Sequence, residues 1–174
     1  MKIGGKGGGN TITGLNFEKE TDIIELLKSK KGYKVKSNII YYQDEEVARS
    51  VKKHALYKYL ETQGVDYKKI ISKKLLPDEA IYVIINNTLF VIEVKFQKVA
   101  GSVDEKLQTC DFKRKQYAKL MAPLNIEVEY IYILSDWFKK PEYKDVLDYI
   151  ISVGCQYYFK YLPLQKLGLP IPSN

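Results

Sequence analysis

Residues 77–97 read PDEAIYVIINNTLFVIEVKFQ, and their pattern decides the fold. Two apolar runs rich in β-branched and aromatic residues, Ile81 to Ile85 and Thr88 to Phe96, flank Asn86-Asn87. Asparagine tolerates positive φ, so this dipeptide suits a tight turn and the segment is expected to form an antiparallel hairpin. Side chains alternate across a strand, which puts Glu93, Lys95 and Gln97 on one face and sends Ile92, Val94 and Phe96 to the core. Asp78 stands at the entry of the first strand, and the hairpin returns it alongside Glu93 and Lys95. Two carboxylates and an ammonium are thereby expected to converge. Glu79 is a rival to Asp78, but neighbours along a strand point oppositely, so one ion is not expected to take both.

The flanking segments alternate in type. Leu15 to Lys30 places Leu15, Phe17, Ile23, Ile24, Leu26 and Leu27 near one helical face, with Gly32 as a stop. An extended stretch from Tyr33 to Tyr42 follows, and Asp44 to Gln63 reads as a second helix with Val47, Val51, Leu56 and Leu60 inward. After the hairpin, Ser102 and Glu105 have the spacing of a capping box, and a helix is expected from there to about Met121. Ile126 to Leu134 reads as a strand, Pro141 to Ser152 as an amphipathic helix and Cys155 to Phe159 as a short last strand. Such alternation favours a layered α/β domain with a mixed central sheet flanked by helices. The division expected is a glycine-rich arm over 1–14, one domain over 15–161 and a proline-containing tail over 162–174. The tail is expected to wrap the surface or meet a second subunit, because its prolines cannot continue a regular element.

The chain of 174 residues suits one compact domain, and 28 Lys plus Arg against 21 Asp plus Glu give a net charge of +7. A polyanionic partner is consistent with that excess, although a lysine-rich composition alone would produce it too. Only Arg49 and Arg114 are arginines, so bidentate arginine readout of guanine has little to work with. No apolar run reaches the ~20 residues that span a bilayer and nothing resembles a cleavable signal peptide, so neither membrane nor secretion is expected. Two cysteines are too few for a disulfide scaffold or a thiolate zinc site, and a cytoplasmic setting fits best. His54, the single histidine, reads as a solvated side chain of a basic helix.

Asp and Glu oxygens are hard ligands suited to Mg²⁺, which keeps several waters and binds phosphate oxygens. For Glu93 and Lys95 alone, an ordinary salt bridge on a half-exposed strand is the better explanation. Pro77-Asp78, the interval to residue 93 and then Glu93-Val94-Lys95 resemble the PD-(D/E)xK nuclease superfamily. Both halves of the motif fall at the expected strand positions, and Ala100 to Leu107 looks like the entry to that family's second core helix. The succession from Leu15 to about Leu134 resembles its restriction-endonuclease-like αβββαβ core. The opening Asn10-Thr11-Ile12-Thr13-Gly14-Leu15-Asn16-Phe17-Glu18, combined with the Glu-Val-Lys-Phe-Gln strand, looks most like small type II restriction enzymes.

The resemblance implies Asp78 and Glu93 as ligands of Mg²⁺ and Lys95 as the cation that activates water or stabilises phosphate. Some members add an acidic residue from the first helix, for which Glu18 is the candidate; a first-turn glutamate complementing the helix dipole is the alternative. Gln97 is a candidate for supporting the water or metal shell, or else a plain surface glutamine. Lys73, Lys74, Lys98, Lys113 and Arg114 are the candidate DNA contacts, drawn from basic series on either side of the motif. Lys113, Arg114 and Lys115 cannot all face one partner from a helix. The implied protein is a homodimeric type II site-specific endonuclease cutting double-stranded DNA, working alongside a cognate DNA methyltransferase. A junction resolvase or repair nuclease of the same fold, and a noncatalytic DNA-binding module, are the alternatives.

Overall fold

A computed structural model describes residues 14–173. Apart from Gly14, the glycine-rich arm lies outside them. The elements in chain order are β1 (Gly14–Asn16), α1 (Ile23–Lys28), β2 (Tyr33–Lys36), β3 (Ile39–Tyr42), β4 (Glu45–Ser50), α2 (Ala55–Thr62), β5 (Glu79–Val83) and β6 (Thr88–Lys95). They continue with α3 (Val103–Leu107), α4 (Cys110–Met121), β7 (Glu127–Leu134), α5 (Lys144–Ser152), β8 (Gln156–Phe159) and β9 (Tyr161–Pro163).

Seven strands form one mixed sheet in the order β2-β3-β4-β5-β6-β7-β8. The first five are an antiparallel meander, whereas β7 and β8 join parallel to β6. The switch has a covalent cause: the parallel step needs a crossover, and α3 and α4 supply it between β6 and β7. The hairpin at the centre is present, with Val83 opposite Thr88, so the loop is four residues rather than two. Asn87 takes the left-handed conformation, at φ 51°, that its side chain tolerates.

Three expected helices are redrawn. Residues 14–16 are extended and the first helix begins only at Ile23, where the Asp22 side chain accepts a hydrogen bond from the Ile24 amide at 2.9 Å. Glu18 therefore lies in the turn after β1, not on a helix. Residues 45–50, expected as helix, form β4. The two-residue loop Gln43-Asp44 has positive φ at both positions, which matches the twist of an antiparallel ribbon and commits the chain to a hairpin. Lys53, also left-handed, then breaks the strand from α2. The helix expected from Ser102 to Met121 is interrupted at Gln108-Thr109, and Ser102 makes no side-chain capping bond, so the capping box is not formed.

Alternation along the sheet divides the core into two layers. Leu56, Leu60, Val91, Leu120, Tyr130 and Ile150 fill one face beneath α2, α4 and α5. The opposite face gathers Leu27, Ile81, Phe90, Ile92, Ile131 and Ile133 beneath α1. Phe96, expected inward, is 40% exposed, because β6 ends at Lys95 and the alternation ends with it. The second face is completed by the segment expected to be a surface tail. Residues 161–163 pair antiparallel with 14–16, and Leu162, Leu164, Leu167 and Leu169 are buried in the core. The prolines do not prevent this, since a two-stranded edge leaves Pro163 without a required donor.

Candidate active site

The start of β5 and the chain just ahead of it are held at three points. The Tyr57 hydroxyl, on α2, accepts from the Leu75 amide at 2.8 Å and donates to the Leu75 carbonyl at 2.7 Å. The Lys53 amide donates to the Pro77 carbonyl, and the Val51 amide to the Ala80 carbonyl, both at 2.8 Å. Asp78 is thus fixed by backbone while its own side chain stays exposed. Glu79 stands opposite Ile92, so one further step of the same register sets Asp78 against Glu93. Both carboxylates line a cavity of about 80 Å³ shared with Lys113, Tyr117 and Tyr130, room for an ion with some of its waters.

Glu93 is buried, and each of the three side chains bonded to its carboxylate offers a proton or a positive charge. Lys95 approaches Oε1 at 2.6 Å. Lys113, on α4, reaches Oε2 at 3.1 Å and Oε1 at 3.3 Å. The Tyr130 hydroxyl, from β7, donates to Oε2. Burial raises the carboxyl, yet the bonds from Lys95 and Tyr130 with the field of Lys113 outweigh it and hold Glu93 below the ordinary carboxylate value. Burial, with the negative charge of Glu93 added, drives the Tyr130 phenol far above its usual pKa, so it stays a donor. Tyr117 is raised chiefly by burial, and both Glu93 and Asp78 add to it.

The donor set agrees with the chemistry of Mg²⁺. Among the described residues there is no group of three or more His, Cys, Asp or Glu side chains able to hold a metal. Mg²⁺ does not need one, because it is typically held by one or two carboxylates and completes its octahedron with water and phosphate oxygens. Asp78 and Glu93 are the residues that would hold it, with Lys95 beside them.

Glu18 pairs with Lys160 at 3.1 Å, and Lys160 also binds Asp136 at 2.5 Å, an exposed cluster that includes neither Asp78 nor Glu93. Hydrogen bonds from Lys160 and Asn16 lower the Glu18 carboxyl. Gln97 lies beyond the end of β6, its backbone tied to Ser135 by two 3.0 Å bonds, and its buried amide has no hydrogen-bond partner. Lys73, Lys74 and Lys98 are exposed. The Lys74 ammonium lies 4.9 Å from the Tyr57 ring centre and 4.7 Å from that of Tyr67. Arg114 turns from the cavity toward the Gly154 turn, where its guanidinium would lie 3.5 Å from a Cβ at that position.

Sequence reasoning did not find Tyr130, Tyr57 or the role of Lys113 at Glu93. One signal was available for the first: Tyr130 and Tyr132 interrupt the aliphatic run of β7 on the face that packs beside Glu93. No local pattern links Lys113 to a carboxylate twenty residues earlier.

Glu79 faces the other layer, as alternation requires. Its carboxylate accepts from the Ile23 amide at 3.4 Å and lies 3.5 Å from Lys52, which binds Asp22 more closely at 2.7 Å. Burial dominates, and with Lys52 drawn mainly to Asp22 the Glu79 carboxyl is pushed up to about 7. Lys52 itself is lowered by burial but raised more by Asp22 and Glu79. A carboxyl raised on folding stabilises fully below its unfolded value of 4.5 and loses that contribution as pH rises through about 7. Glu79→Gln is therefore expected to melt higher than wild type at pH 8, by roughly 1–3 kcal/mol, with the gap closing near pH 4.5. Equal melting differences at the two pH values in thermal scans would contradict it.

None of the family models, curated proteins or solved structures compared with the chain matches it.

Proposed function

We propose that this protein is a Mg²⁺-dependent endodeoxyribonuclease with a restriction-endonuclease-like fold, hydrolysing double-stranded DNA at a specific sequence. The observation that carries the reading is the meeting of Asp78 and Glu93 on one face of adjacent strands, lining one cavity with Lys95 2.6 Å from Glu93. Its support from sequence is the resemblance of Pro77-Asp78 and Glu93-Val94-Lys95 to the PD-(D/E)xK motif.

Mg²⁺, when bound, would stabilise charge on the scissile phosphate and lower the pKa of a coordinated water. Asp78 and Glu93 would hold the ion, and the Lys95 ammonium would orient the attacking water or bind a phosphate oxygen. Tyr130 fixes the Glu93 carboxylate from behind. Water adds to phosphorus, the bond to the 3′ oxygen breaks, and that oxygen takes up a proton to leave a 3′-hydroxyl and a 5′-phosphate. Lys73, Lys74 and Lys98 are exposed cations available to the phosphate backbone. One chain carries one such site, so cutting both strands at a symmetric sequence calls for a homodimer. A methyltransferase protecting the same sequence would complete the system.

The test is incubation of the purified protein with plasmid and phage DNA in Mg²⁺, followed by sequencing of the ends. Discrete ends at one short sequence are expected. Cleavage confined to branched substrates would instead favour a junction resolvase, and intact DNA in every divalent metal would favour a noncatalytic binding module.

A further inference from the structure

Resting on that reading, we infer that Lys113 is an exchangeable counter-ion: its ammonium occupies the Glu93 carboxylate until a divalent cation displaces it, and is then released to bind DNA phosphate. The Glu93 carboxylate has a limited capacity for partners. Two oxygens offer about four lone-pair sites. Lys95 takes one at 2.6 Å, Tyr130 takes another, and Lys113 spans both oxygens at 3.1 and 3.3 Å. A cation cannot ligate Glu93 until one donor leaves.

Three features identify the donor that leaves. Tyr130 is 2% exposed within the core and its ring packs against Tyr132, so it cannot retreat. Lys95 makes the shorter ion pair and is carried on the same strand as Glu93, two positions along. Lys113 makes the longer contacts, stands on a helix across the cavity and is the more exposed of the two lysines, at 28% against 19% of the side chain. Its four-carbon stem lets the ammonium swing without moving the helix.

The charge balance gives the exchange a direction. The formal charges of Asp78 and Glu93 are matched by those of Lys95 and Lys113, both of which bind Glu93. Adding a divalent cation leaves an excess of two positive charges, which disfavours the second ammonium at Glu93 and favours a phosphate nearby. Metal loading and DNA affinity are then coupled through one side chain, and such coupling is reciprocal.

The experiment measures Mn²⁺ binding by calorimetry without DNA, and DNA binding by salt titration with and without Ca²⁺. Lys113→Met is expected to bind Mn²⁺ about tenfold more tightly, the factor matching one lost charge-assisted bond of a competing donor. Lys113→Arg, which keeps the charge in a two-pronged fork, is expected to bind Mn²⁺ no more tightly than wild type. Lys119→Met, on the same helix but exposed, controls for the loss of one charge and should leave metal affinity within about twofold. In Ca²⁺ the salt slope of DNA binding should fall by about 0.9 for Lys113→Met, with no change in the slope without metal.

Equal Mn²⁺ affinity in Lys113→Met and wild type, or the same loss of slope with and without Ca²⁺, overturns the exchange; if wild type still cleaves DNA in Mg²⁺, the nuclease reading stands. A wild-type protein that binds no divalent cation and cuts no DNA overturns both.

Discussion

Asp78→Asn is expected to remove DNA cleavage while leaving the fold intact. The substitution keeps the shape of the side chain and deletes the charge that would face the ion. Loss of a metal's stabilisation of the transition state amounts to several kcal/mol, roughly a 10³-fold or greater fall in rate. Stability should change little, within about 0.5 kcal/mol, because Asp78 is exposed and held by its backbone. Glu93 is expected to behave differently. Glu93→Ala also abolishes cleavage but leaves Lys95, Lys113 and Tyr130 facing a hole, and removing one partner of a buried charge pair costs about 3–5 kcal/mol. Single-turnover cleavage with denaturant melts separates the two effects. Full activity in Asp78→Asn would remove Asp78 from the site, and unchanged stability in Glu93→Ala would contradict the bonding of the Glu93 carboxylate.

Deleting residues 162–174 is expected to unfold the protein. Leu162, Leu164 and Leu167 are fully buried and Leu169 is 3% exposed. Each buried leucine contributes about 1.5–3 kcal/mol, so the four together reach roughly 6–12 kcal/mol as an upper figure. A whole domain has a net stability of only about 5–15 kcal/mol. The deletion also frees the partners that fix the segment: Asn86 donates to the Leu167 carbonyl at 3.2 Å and Tyr33 to the Pro170 carbonyl at 2.5 Å. Leu167→Ala in the full chain should cost about 2–5 kcal/mol and keep a cooperative transition. A truncated chain melting cooperatively at the wild-type midpoint would show that these leucines are not part of the core.

The central hairpin, β7, α5 and β8 were legible because their periodicity and their burial agree. Asp78 and Glu93 were legible for the same reason, since strand alternation and an antiparallel return fix which side chains share a face. The misreadings have local causes. Val47 and Val51 sit four apart and imitate a helix, but Gln43-Asp44 adopts a hairpin turn that makes residues 45–50 a strand, and Val51, just past its end, enters the opposite layer. Leu15 and Phe17 can be grouped with a helical face, and only the pairing of residues 14–16 with 161–163 makes Leu15 part of a strand, with Phe17 in the turn after it. The leucines of the C-terminal segment sit among prolines and show no regular period, so their burial depends on a distant strand. Lys113 and Tyr130 escaped because contact with Glu93 is set by how α4 and β7 pack, which no short window contains.

The ladder joining residues 14–16 to 161–163 also constrains the order of events during synthesis. Closing a loop of that length is slow, and its contacts yield nothing until both ends are present. One layer of the sheet can acquire its helices as the chain emerges. The other stays open to solvent until residue 169 has left the ribosome, which gives a chaperone a defined apolar surface to hold during that interval.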